Sequence, residues 1–82
     1  MVVEEQFITD FLNFRNNIRC YRKALHLTQE ELAEKADLST SYIKQIESEM
    51  EFRNITLLSI LRLAQALEVS IASLFIEKDE TN

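Results

Sequence analysis

The sequence predicts an all-α fold, a bundle of five helices with a long first helix, and three observations carry that expectation. Its 82 residues contain neither glycine nor proline, although ordinary usage would supply roughly six and four of them. Tight β-hairpins want Asn-Gly or Asp-Gly at the turn, so hairpins are disfavoured. Phe7, Phe11, Phe14, Ile18, Tyr21 and Leu25 recur at alternating spacings of four and three, which lines one side of a helix for about five turns. Finally, four later apolar runs each follow a Ser or Thr (Thr28, Ser39, Thr56, Ser70), residues whose side-chain oxygen can accept from a free amide at a helix start.

The elements follow in order. Along the first helix Arg15, Arg19 and Arg22 form a ridge beside the apolar one, at i, i+4 and i+7. Thr28-Gln29-Glu30-Glu31 reads as a capping box, with Thr28 accepting from the Glu31 amide and the Glu31 carboxylate accepting from the Thr28 amide, and opens a short second helix to about Lys35. Asp37-Leu38-Ser39 breaks the period, and Ser39 caps a third helix that turns Tyr42, Ile43 and Ile46 inward. Residues 48–54 show no apolar period. Thr56 caps a fourth helix in which only Ser59, Arg62 and Gln65 are polar between Leu57 and Leu67, a pattern that calls for burial on more than one side. Ser70 caps a last short helix over 71–76, and residues 77–82 read as a frayed tail. No internal repeat and no boundary divides the chain, so residues 1–82 read as one domain.

Composition excludes several kinds of chemistry. Without glycine there is no dinucleotide-binding G-x-G-x-x-G, no P-loop, no EF-hand loop and no nucleophile elbow, each of which needs close backbone approach or φ > 0. The single Cys20 cannot form an intramolecular disulfide, no secretory signal is visible, and no apolar run reaches the ~18 residues of a membrane span. A cytoplasmic protein with no membrane association is expected. The net charge of −5 is formally wrong for nucleic acid, but it is uneven. Residues 1–14 carry −3 and residues 63–82 carry −3, while residues 15–62 hold eight basic against seven acidic side chains, for +1. The acidity lies at the ends.

The run from Ile18 to Glu47 resembles the helix-turn-helix of the Cro/C1-type (XRE) regulators. The resemblance rests on Thr28-Gln29-x-x-Leu32-Ala33 and then Ser39-x-x-Tyr42-Ile43-x-x-Ile46-Glu47, without a gap. Leu67-Glu-Val-Ser-Ile-Ala-Ser-Leu-Phe75 resembles the family's closing helix, and the match covers about residues 16–76, leaving 1–15 as an extension of the first helix. The resemblance implies a lambda-repressor-like DNA-binding domain, in which two short helices pack at about 90–120° and the second enters the major groove. Ala33 and Ala36 are small where those helices would press together.

That likeness assigns roles to individual positions. Thr40, Ser41, Lys44 and Gln45 become the base-reading residues of the third helix, with Gln45 suited to pair with adenine and Thr40 able to offer a methyl to thymine; on an ordinary exposed helix they would merely be solvated. Gln29, at the start of the second helix, and Tyr42 become phosphate contacts, as do Arg53, Asn54 and Thr56, where the loop is one or two residues longer than usual in the family. Arg22 and Glu47 match positions that pair the first helix to the third. His26, Asp37 and Glu49 stand where relatives carry glycine. In size and in its Arg53-Asn54-Ile55-Thr56 run the chain resembles the small controller proteins of restriction–modification systems more than the larger phage repressors.

A homodimer on a roughly palindromic operator is expected, because the last helix is apolar where relatives are charged. Ile71, Ala72, Phe75 and Ile76 are its interface candidates, with the apolar extension (Val2, Val3, Phe7, Ile8, Phe11, Leu12) as further surface. Double-stranded DNA is the expected partner, with no metal, cofactor or small-molecule ligand. Cys20 and His26 are too few for a zinc site, and no nucleophile has a base beside it, so no enzyme is expected. The competing reading is a protein-interaction or antitoxin-like module that keeps the fold but binds DNA weakly or not at all, favoured by Glu49 and Glu51 just after the third helix.

Overall fold

The computed structural model describes residues 5–48 and 55–77. It contains α1 (Glu5–Ala24), α2 (Gln29–Ala36), α3 (Thr40–Glu47), α4 (Leu57–Leu67) and a closing 3-10 turn, η1 (Ala72–Phe75). All regular structure among the described residues is helical. The starts are those expected from the sequence. Thr28 Oγ1 accepts from the Glu31 amide at 3.0 Å, and the Glu31 carboxylate accepts from the Thr28 amide at 2.8 Å. Ser39 Oγ accepts from the Tyr42 amide and Thr56 Oγ1 from the Ser59 amide.

Three helices end in the same way without a glycine. After α1, α2 and α4 the chain passes through His26, Asp37 and Glu68 at φ of 59°, 57° and 63°. In each case that residue's amide donates three residues back, and the next amide reaches five back: Leu27 to Arg22, Leu38 to Ala33, Val69 to Ala64. This paired arrangement satisfies carbonyls that a helix end leaves open. Leu27, Leu38 and Val69 then pack against the core, which offsets the roughly 1 kcal/mol that a side chain costs in the left-handed region. The third helix differs, since Ser48 leaves α3 in extended conformation.

The core is built from Phe14 and Ile18 of α1, Leu32, Ala33 and Ala36 of α2, Ile43 and Ile46 of α3, Leu63, Ala64, Ala66 and Leu67 of α4, and Leu74. Ala33 and Ala36 are buried, as small residues between α2 and its neighbours should be. Asn17 is buried too, and its Nδ2 donates to the carbonyls of Leu74 and Ile76 at 2.9 and 2.8 Å. Phe75 stacks on Phe14 with ring centroids 5.3 Å apart. The chain end is thereby fastened to α1.

Three expectations need correction. The fifth helix is a four-residue 3-10 turn, leaving four α-helices. A single isolated turn does not repay helix nucleation, and Asn17 takes the carbonyls on which further turns would build. Ile71 flanks the turn with no side-chain cap, and Ser70 Oγ, one residue earlier, accepts from the Ser73 amide at 3.2 Å. Next, α4 is not buried on more than one side, because Leu57, Leu58 and Leu61 are exposed. Last, the apolar stripe of α1 reaches the core at Phe14, Phe11 is half-buried, and Phe7 is 55% exposed; the first turns of α1 run past the core.

Candidate nucleic-acid interface

Helix α3 has two faces. Ile43, Ile46 and Glu47 are buried, so positions 41 and 45 fall on the opposite side, with 44 on the flank and 40 at the edge of the buried stripe, seven residues before Glu47. Ser41, Lys44 and Gln45 are exposed and Thr40 is half-exposed at the first helical position. Ser41 and Gln45 therefore form an outward ridge, with Lys44 exposed beside it and Thr40 at its edge. They offer a hydroxyl or amide at three positions and a cation at one, the donor and acceptor types that read base edges in a major groove.

The floor of this site is a network of charged and polar groups around Glu47. Arg22 Nε and Nη2 donate to the two oxygens of the Glu47 carboxylate at 2.7 and 2.9 Å, and Arg22 Nη1 donates to the Leu27 carbonyl at 2.8 Å. The pair is nearly enclosed, with side chains 12% and 5% exposed. A two-point geometry of this kind fixes orientation as well as charge. Gln29 Nε2 also donates to Glu47, at 3.1 Å. One ion pair thus joins α1, α2 and α3 and holds the amide of Gln29 beside the reading ridge. The second N–H of that amide is not used by Glu47, and the first-turn amides of α2 lack intrahelical acceptors, so this corner suits an anion.

The remaining positions divide as follows. Tyr42 is half-buried against the core. Thr56 Oγ1 donates to Ser59 Oγ at 2.9 Å while accepting from the Ser59 amide, so its hydroxyl is committed to capping and the first-turn amides of α4 are what that end offers an anion. Arg53 and Asn54, with Glu49 and Glu51, lie outside the described residues. At the far end of the fold Ile71, Ala72, Phe75 and Ile76 are all exposed. His26 is exposed in the left-handed region and Cys20 is exposed and free; no group of three potential metal ligands occurs among the described residues. No described helix is long and apolar enough to cross a membrane.

Sequence reasoning left Arg15 and Arg19 without a role. Arg19 Nη2 donates to the Glu47 carbonyl at 3.3 Å and Arg15 Nη1 to the Ser48 carbonyl at 3.1 Å. The signal was present as the i, i+4, i+7 ridge, but its partner could not be seen before α3 was placed. Asn17 and the left-handed Glu68 were also missed.

Two short helices joined by a tight turn, the second exposing a polar ridge over a buried ion pair, define a helix-turn-helix DNA-binding module. The chain belongs to the helix-turn-helix family HTH_3, whose model matches residues 18–74, and is a DNA-binding transcriptional regulator. It is 41% identical over 58 residues to control protein C.SmaI of Serratia marcescens, a match covering 71% of this chain and 67% of that one. It is 38% identical over 64 residues to the HTH-type transcriptional regulator SinR of Bacillus licheniformis, covering 78% of this chain and 57% of SinR. Among solved structures, the restriction-modification controller protein C.AhdI from Aeromonas hydrophila superposes with a TM-score of 0.72 at 38% identity, covering 80% of this chain and 97% of C.AhdI.

Proposed function

We propose that this protein is a cytoplasmic controller of a restriction–modification system that binds a two-fold symmetric operator as a homodimer. Thr40, Ser41, Lys44 and Gln45 read bases. Gln29, Tyr42, Arg53, Asn54 and the α4 N-terminus at Thr56 hold the phosphate backbone. The dimer forms through Ile71, Ala72, Phe75 and Ile76, so that two copies of α3 meet half-sites about 34 Å apart. The observation that carries this reading is the joint placement of the α3 ridge and Gln29 on one ion-paired floor, since base reading and phosphate gripping must be held in fixed register to be specific. The similarity to two proteins named as control or controller proteins supports the finer assignment.

The test is selection from random duplex DNA at about 50 mM salt, where phosphate contacts are strong, with wild type, Gln45→Ala and Gln29→Ala in parallel. Wild type should recover an inverted repeat. Gln45→Ala should relax one symmetric position of it, and Gln29→Ala should weaken binding to all sequences about equally. Absence of any enrichment at low salt would overturn the proposal and favour the protein-interaction or antitoxin-like alternative.

A further inference from the structure

We infer that Arg15 and Arg19 are positioning residues for base recognition: from α1 they clasp the C-terminal end of α3 and so set the angle at which its reading ridge meets DNA. The inference rests on the DNA-binding reading above and goes beyond it, because neither arginine belongs to the base-reading or phosphate-gripping set.

A helix leaves its last four carbonyls without intrahelical partners. α1, α2 and α4 close theirs through His26, Asp37 and Glu68 in the left-handed region, each followed by a buried or half-buried apolar residue. α3 has no such closure. Ser48 is extended at φ −71° and ψ 149°, and its amide donates to the Gln45 carbonyl at 3.3 Å. An eight-residue helix frays readily at its ends, and this end carries Lys44 and Gln45.

Arginines of α1 hold this end from outside the helix. Arg19 donates to the carbonyl of Glu47, Arg15 to that of Ser48, and Arg22 takes the Glu47 carboxylate from the same ridge. Three cations also lie where the helix dipole is negative. Both guanidinium groups are turned toward protein carbonyls. Arg15 is partly buried, and its Nε, which is fully covered, has no hydrogen-bond partner among the described residues. A side chain placed only to attract phosphate would not hold its polar atoms against another helix. These contacts are also rigid-body contacts: they reach from the longest helix to the last turn of the one that reads DNA.

The experiment compares wild type with Arg15→Met/Arg19→Met, which keeps the aliphatic stems and removes the donors, and with Arg15→Lys/Arg19→Lys. Helix content by circular dichroism confirms folding, with the single Arg15→Met variant used if the double one does not fold. Affinity is measured for the selected operator, for an operator changed at the base pair read by Gln45, and for unrelated duplex across a salt series. The expected result is a fall of about tenfold in the preference for the intact operator, the size of one mismatched base pair. Affinity for unrelated duplex and the salt slope should not change, and the lysine variant should recover only part of the preference because a single ammonium lacks the planar reach. If all duplexes weaken together and the salt slope drops by about one for each arginine lost, the arginines are phosphate contacts and the inference fails. It fails equally if nothing changes. Should wild type select no DNA at all, the DNA-binding reading is what has failed. The clasp is then decided by amide hydrogen exchange in the free protein: exchange about tenfold faster over residues 44–48, with α2 and α4 unchanged, upholds it, and equal exchange overturns it.

Discussion

Replacing Glu47 by alanine probes the structure at the place where three helices depend on one group. Its carboxylate accepts two hydrogen bonds from Arg22 and one from Gln29, and the pair sits at 12% and 5% exposure. The desolvation already undergone by Arg22 is not recovered when its partner leaves, so the loss should approach that of breaking a buried pair, about 3–5 kcal/mol. An exposed pair would lose at most about 1 kcal/mol. Arg22 retains its bond to the Leu27 carbonyl, which favours the lower part of the range. For a chain of this size each kcal/mol moves Tm by about 4–8 °C, so Tm should fall by at least about 12 °C. The assay is urea and thermal unfolding followed by circular dichroism, at one fixed protein concentration because self-association would shift the midpoint. Glu47→Gln, which keeps the shape and one acceptor, should lose less. Arg22→Met/Glu47→Leu, which removes both charges, should recover much of the loss. A Glu47→Ala penalty below about 1 kcal/mol would refute the claim that this pair is effectively buried.

Three further outcomes are expected. Glu68→Gly should raise Tm by about 4–8 °C, the effect of relieving about 1 kcal/mol of left-handed strain; the exposed 3.4 Å bridge from Lys35 to Glu68 that it removes contributes little, and an unchanged or lower Tm would show that Glu68 is not strained. Light scattering at micromolar concentration should give twice the chain mass and Ile76→Asp should return it to one, whereas a wild-type monomer would remove the dimer. Operator affinity should fall only modestly with salt, with a log–log slope of about −4 for two basic contacts per subunit in a dimer; a slope near −8 would mean that many more phosphates are neutralised than Lys44 and Arg53 provide.

Most of the fold was legible in local sequence signals, and most of what was missed depended on contacts between distant residues. Thr28, Ser39 and Thr56 set the helix starts because capping is decided within four residues. His26 and Asp37 were placed at glycine-like turns by the family pattern, and both have positive φ. Glu68 carries no comparable mark in the sequence, since its conformation follows from Val69 turning back to the core. The fifth helix was overestimated because an apolar run after a serine looks the same whether it makes one turn or several; Asn17, fifty-seven residues from Leu74 in the chain, decides the matter. The exposed polar face of α3 was visible in the sequence opposite Ile43 and Ile46. The floor beneath it was visible only in part, since Arg22 and Glu47 were paired by family likeness, while the bond from Gln29 needs all three helices in place.

The charge of the molecule bears on how it meets DNA. Of the basic side chains on described residues, Arg15, Arg19 and Arg22 hold α3, Lys35 pairs with Glu68, and Arg62 lies 3.9 Å from Asp37. Lys23 is exposed on α1 and Lys44 on the polar face of α3. A chain of net charge −5 whose Arg15, Arg19 and Arg22 are turned to protein groups has little long-range attraction for duplex DNA in general. Non-specific binding, which is almost wholly electrostatic, should therefore be weak. On the proposed function, specific binding draws on short-range groups: the amides and hydroxyls of Gln29, Thr40, Ser41 and Gln45, and the helix N-termini. Such contacts fade within hydrogen-bonding distance and tolerate little misalignment. A protein that reads DNA with few cations needs its recognition helix held firmly, and on the proposed function Arg15, Arg19 and Arg22 serve the site by holding α3.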